Sequence, residues 1–274
     1  MNRITLAQPL AEVRFSHAEP AKFLNGAFMV GNLAVSRAGR YPILISSDDG
    51  QKIVCSYVLS GSGILERQES KVHVLRNLLE FAGDSQDYDF EVPLAMDGIR
   101  VTSDALGKPE LYVNGRKGPS VSFTQVSGLT WGALCLTGGI IGVDAAGRDE
   151  FPKDYPYHRA FHREELTYAR NLTDEDVSSA AALLWTAKES VVKCIGTGFH
   201  MIDPLEIQIV ITPSISEKND YATCFDDRIL RRFPELLEHS IRIFALRSQG
   251  LVISVAFMVK NGAARSREAR SYGH

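Results

Sequence analysis

The sequence has no surplus of basic residues: 30 lysines and arginines stand against 33 aspartates and glutamates, a formal net charge of −3. A charge-driven grip on polyanions needs the opposite balance, so no nucleic acid is expected as a partner. The four cysteines, Cys55, Cys135, Cys194 and Cys224, show no CxxC spacing, which argues against a zinc knuckle or a disulfide framework and leaves buried thiols. No apolar run approaches the roughly 20 residues of a membrane span, and the first residues contain no apolar stretch of signal-peptide length. The expectation is a cytoplasmic chain with no membrane partner. His158 and His162 lie four apart in YHRAFHREE, yet without a third ligand nearby they fall short of a metal site.

What is present is a 274-residue chain with 45% hydrophobic residues, enough for one large unit or two compact halves, each with a core. The first 60 residues read as strands at VRF, GAFMVGNLAV, YPILI and IVCSYVL, short apolar or alternating runs separated by turn residues. Helical spacing follows from about Ile64 to Ala82, with Leu65, Val72, Leu75, Leu78 and Leu79 on one face and Gly83 placed to end the helix. Arg67, Lys71 and Arg76 occupy the other face. Strand patterns return at GIRVTS, SVSFTQVS, WGALCLTG and IIGVD.

The second half predicts helices around Arg159–Arg170 and Glu175–Ile195, the latter opened by Thr173 and closed by Gly196. Strands follow at LEIQIVI, SIRIFALR and LVISVAFMV, the last alternating Leu251, Ile253, Val255 and Phe257 as a half-covered sheet would. The fold class expected is α+β (α/β): two similar halves related by a pseudo-twofold, each a small sheet with a long helix, with a cleft between them. Residues 1–137 form one half, 138–260 the other, and the polar, small, basic tail 261–274 is expected to be mobile.

Three segments carry unusual side chains: IIGVD ending at Asp144, FHREE with Glu165, and WTAKESVVK with Trp185, Lys188, Glu189 and Lys193. A carboxylate at the end of an apolar strand demands a cation or several donors. Taken singly, each has a bland reading. Glu189 and Lys193 fit an i, i+4 surface pair of about 0.2–0.5 kcal/mol, and Trp185 fits core packing.

Taken in order, GVD, FxxxE and WxxKExxxK resemble the signature of the Sfp-type 4′-phosphopantetheinyl transferases. GTG at Gly196–Gly198 and GKP at Gly107–Pro109 also sit where that family carries them, so the resemblance runs from about Gly107 to Pro213. Arg67 and Arg76 are spaced like two arginines of the family's first helix, and residues 1–60 lie outside the resemblance. The family implies two α/β halves with coenzyme A in the cleft and Mg²⁺ on its pyrophosphate. Its reaction moves phosphopantetheine to a serine of an apo acyl or peptidyl carrier protein and releases 3′,5′-ADP.

Carried over position by position, the resemblance makes Asp144 and Glu189 the Mg²⁺ ligands, two carboxylates being a usual protein share for that ion. It makes Lys193 and Lys188 the lysines near the reacting phosphates and Glu165 the carboxylate that deprotonates the serine. Lys108 and Arg67 become coenzyme A phosphate contacts. Two departures stand out. The family's second acidic residue, two after the aspartate, is Ala146 here. The family's Ser-His pair at the nucleotide is Thr124 and Gln125; Gln125 can donate a hydrogen bond without histidine's charge. These departures keep a second reading open, a non-catalytic relative that binds coenzyme A or a carrier protein. The chain is read as a monomer.

Overall fold

The computed structural model describes residues 43–46, 52–59, 64–84, 98–174, 176–213, 219–248 and 251–260. Strands β1 (Ile43–Ser46) and β2 (Lys52–Leu59) are followed by helix α1 (Ile64–Asp84). A small sheet of β3 (Ile99–Ser103), β4 (Pro109–Val113) and β5 (Arg116–Lys117) precedes β6 (Val121–Val126) and β7 (Leu129–Cys135). These last two join the first pair in a four-stranded sheet of order β1-β2-β7-β6. After the turn at 136–139 come β8 (Ile140–Gly147), α2 (Arg163–Asn171), α3 (Val177–Ile195), β9 (Ile207–Pro213) and β10 (Asn219–Phe225). The described residues end with α4 (Asp227–Arg232), β11 (His239–Ser248) and β12 (Leu251–Lys260), and a second sheet has the order β11-β12-β8. The α+β class holds, and every described strand pairing is antiparallel.

Helix α1 lies on one face of the first sheet. Val74, Leu75, Leu78 and Leu79 are fully buried there against Val54, Val121 and Leu134, each worth about 1.5–3 kcal/mol of burial. Because side chains alternate along a strand, the opposite face of that sheet shows Ile53, Cys55, Trp131, Ala133 and Cys135. These residues join α3, β8, β11 and β12 in the main core. The first sheet is therefore a wall shared by two cores.

Helix α3 packs on β8 so closely that a Cβ on Gly142 would lie 2.0 Å from the Ser190 carbonyl oxygen and 2.5 Å from the Cys194 nitrogen. Only glycine admits this approach. A parallel contact occurs where α1 crosses β7, since a Cβ on Gly132 would lie 2.5 Å from a methyl of Val74.

Several sequence expectations change in detail. The α1 helix runs through Gly83 to Asp84. Helix α2 starts at Arg163, after a separate 3₁₀ turn at Tyr157–Arg159. The N-cap of α3 is Asp176, whose carboxylate accepts from the Ser178 N–H, while the Thr173 hydroxyl donates back to the Ala169 carbonyl. Gly196 does close α3, in the left-handed region at φ 93°. Asp144 is not at a strand end: β8 continues through Ala145, Ala146 and Gly147, all paired with β12. Nor is β12 half-covered, since Val252, Ser254, Ala256 and Met258 are buried along with Ile253, Val255 and Phe257. Strands expected at VRF and GAFMVGNLAV, and the tail 261–274, lie outside the described residues.

Candidate active site

The sequence SVSFT places hydroxyls at alternate positions, Ser120, Ser122 and Thr124, and β6 turns them all toward β8. The Ser122 hydroxyl oxygen accepts from the Val143 N–H at 3.0 Å, and that of Ser120 accepts from the Ile141 N–H at 3.1 Å. The Thr124 hydroxyl donates to Asp144 Oδ1 at 2.9 Å. β8 is the edge strand of its sheet, and these hydroxyls satisfy backbone donors that would otherwise lack a strand partner.

Asp144 thus leans on both sheets. Its Oδ1 also accepts from Lys193 Nζ at 2.7 Å, and Lys193 donates in addition to the Val143 carbonyl at 3.2 Å. Burial still holds the Asp144 carboxyl above the ordinary carboxylate range, against the pull of Lys193 and Thr124. One helical turn before Lys193, Glu189 is half-buried and its carboxyl is likewise raised, first by burial and then by the negative charge of Asp144. No hydrogen bond to the Glu189 carboxylate occurs among the described residues. The bland alternative, a Glu189–Lys193 surface pair, does not form, because Lys193 turns to Asp144.

One buried and one half-buried carboxylate, both pushed toward protonation and one with no donor, form a hard-oxygen set that a divalent cation would relieve. The residues fit Mg²⁺ to that extent. Among the described residues no group of three or more His, Cys, Asp or Glu gathers to hold a metal. Ala146 explains this in part: it shares a strand face with Asp144 and is 1% exposed, packed in the main core.

Lys193 also lines a cleft of about 510 Å³, walled by α1, the β3–β4 hairpin, β6, β8 and the residues after α3. Lys71, Lys108 and Lys193 bring three cations to it, and Val72, Val101, Leu106 and Phe123 bring apolar surface. Lys108 crosses from the hairpin to donate to the Cys194 carbonyl at 2.9 Å, a cation at the negative end of α3. Burial lowers its pKa. An ammonium has three donors, so Lys108 retains capacity for a phosphate.

The remaining sequence candidates lie elsewhere. Arg67 is exposed on α1; the cleft takes Gln68 and Lys71 from that helix instead. Gln125 is exposed and donates to the Thr130 hydroxyl at 3.0 Å, while Thr124 is spent on Asp144, so neither lines the cleft. Ser122 and Phe123 do, and the alternation of hydroxyls in SVSFT was the signal that could have identified this strand's inward face.

Glu165 and Lys188 form a sealed ion pair at 2.5 Å, both side chains 0% exposed. Lys188 Nζ donates also to the carbonyls of Ala160 and Pro204. Glu165 accepts from the backbone N–H groups of His162 and Ile209. All three donors of the Lys188 ammonium are engaged, Glu165 accepts three hydrogen bonds, and neither residue lines the cleft. Burial lowers the Lys188 pKa although Glu165 opposes it. Trp185 is half-buried in an aromatic group, with ring centroids 5.0 Å from Phe199, 6.3 Å from Phe151 and 6.5 Å from Phe161. Core packing describes it.

No helix among the described residues is long and apolar enough to cross a membrane. No curated protein matches the chain. Among solved structures it is similar to a holo-(acyl-carrier-protein) synthase from Bacillus anthracis in complex with CoA (3′,5′-ADP), at 19% identity and TM-score 0.34, covering 43% of this chain and 94% of that one. It is also similar to the Helicobacter pylori holo-[acyl-carrier-protein] synthase in complex with coenzyme A, at 17% identity and TM-score 0.36, covering 44% and 100%. Residues 140–250, which include β8 through β11, match the family model of the 4′-phosphopantetheinyl transferase superfamily. That region, which carries Asp144, Glu165, Lys188, Glu189 and Lys193, is what the chain has in common with the 4′-phosphopantetheinyl transferase superfamily.

Proposed function

We propose that this chain is a 4′-phosphopantetheinyl transferase of the Sfp type, taking the phosphopantetheine arm from coenzyme A and attaching it to a serine of an apo carrier protein. The observation that supports this most is the Lys193–Asp144 contact, with Glu189 near enough to feel the Asp144 charge and Lys193 opening onto a cleft lined by Lys71 and Lys108. In this reading residues 1–137 and 138–260 are two similar halves, the enzyme is a cytoplasmic monomer, and its metal is Mg²⁺ held by Asp144 and Glu189.

The serine oxygen bonds to the β-phosphorus of coenzyme A, the bond from that phosphorus to the bridging oxygen breaks, and 3′,5′-ADP leaves. When bound, Mg²⁺ neutralises charge on the pyrophosphate oxygens. Lys108 and Lys71 hold phosphates as point charges. Lys193 gives a hydrogen bond or proton to the departing phosphate oxygen once it is drawn from Asp144. The serine proton passes to water at the cleft mouth, since Glu165 is sealed away from it. Glu165 and Lys188 act by fixing the loops that flank α3.

Ala146 and the Lys193–Asp144 contact favour one second reading, a relative that binds coenzyme A without transfer. Incubation with coenzyme A, Mg²⁺ and a panel of apo carrier proteins, followed by intact-protein mass spectrometry, separates the two. The expected result is addition of the arm to a carrier, reduced on the order of a hundredfold or more in Asp144→Ala. Coenzyme A binding with no transfer to any carrier would establish the second reading.

A further inference from the structure

We infer that Thr124 is a positioning residue for Asp144, and that the hydroxyl row Ser120–Ser122–Thr124 sets where the metal-binding edge of β8 stands against the first sheet. The inference rests on the reading of Asp144 as a metal ligand. Its own ground is the geometry of the seam. β6 and β8 belong to different sheets, and three hydrogen bonds between these segments run through these three side chains. Two of the bonds fix the β8 backbone on either side of Gly142. The third reaches past the backbone to the carboxylate itself.

Thr124 is buried at 9% exposure and Asp144 at 6%, so water does not readily replace the bond if the hydroxyl is removed. The rotamer of a β-branched residue is stiff, which makes Thr124 a fixed donor rather than an adaptable one. Lys193 approaches the same Oδ1 but is 30% exposed along its side chain, on a long flexible stem. When a cation draws Lys193 away, Thr124 is the contact that continues to orient Asp144. A donor of this kind behind a ligating carboxylate commonly governs affinity by ten- to a hundredfold.

The test is Mn²⁺ binding followed by electron paramagnetic resonance, in the presence of coenzyme A and without any carrier protein. Thr124→Val, which keeps the shape and removes the hydroxyl, is expected to weaken Mn²⁺ binding on the order of tenfold, and Thr124→Ser to bind within about twofold of the parent. Unchanged affinity in Thr124→Val overturns the inference and leaves the metal reading intact. Equal loss in both variants also overturns it, since the methyl group and not the hydroxyl would then matter. Binding by the parent that Asp144→Ala does not weaken, or no binding at all, overturns the metal reading and the inference with it. Thermal melts of all variants accompany the titration, and a variant that fails to fold is replaced by Thr124→Ala judged by the same criterion.

Discussion

Lys188→Met is expected to lower the folding free energy by about 3–5 kcal/mol, because it leaves the Glu165 charge buried without its partner. The ammonium it removes also satisfies the carbonyls of Ala160 and Pro204, so two backbone acceptors lose a donor in the same step. Urea unfolding monitored through the two tryptophans, Trp131 and Trp185, measures the effect. Combining Lys188→Met with Glu165→Leu is expected to recover part of the loss, since no charge is then left uncompensated, while the unpaired backbone groups retain the remainder. Stability near that of the parent together with collapsed transfer would restore the chemical role that sequence resemblance assigns to Glu165 and Lys188. Equal losses of stability and of active protein identify the pair as a clamp on α3, one residue before Glu189.

The second large effect is expected at Gly142. In Gly142→Ala the new methyl would meet the backbone of α3 at Ser190 and Cys194, and backbone cannot rotate aside as a side chain can. Overpacking typically destabilises by about 1–3 kcal/mol, and this site belongs at or above the upper end. Gly132→Ala is the internal comparison: its methyl meets the end of Val74, which can shift, so a smaller decrease in melting temperature is expected. The Gly142 variant should also lose Mn²⁺ binding, because α3 carries Glu189 and Lys193 and would be lifted from Asp144. Near-equal melting temperatures for the two variants would refute the close approach of α3.

The order of motifs was legible in the sequence because it depends on residue type and spacing alone. The structure brings Lys193 to Asp144, with Glu189 near enough for its carboxyl to be raised by the Asp144 charge; spacing alone offered only a Glu189–Lys193 pair. The role of Glu165 was not legible, since a carboxylate three residues into a helix serves as well for a capping box and a buried pair as for a base, and only the fold shows which. The same limit applies to Thr124 and Gln125: neighbouring residues on a strand face opposite ways, and only the alternating hydroxyls of SVSFT marked the side that meets β8. The end of β8 was misjudged at Asp144 because a charge interrupts an apolar run, while Ala145, Ala146 and Gly147 continue the pairing with β12. The hairpin between β4 and β5 was missed even though Asn114-Gly115, with φ of 50° and 76°, is the dipeptide most suited to that turn.

The wall formed by β2 and β7 has a further consequence. One set of its side chains completes the core under α1, and the alternate set completes the core around α3. Neither core can melt without stripping apolar surface from the other, so heat should remove both in one cooperative transition. A protease that severed the turn at 136–139 would yield two fragments that remain associated, and amide hydrogens in β2 and β7 should exchange only through global unfolding.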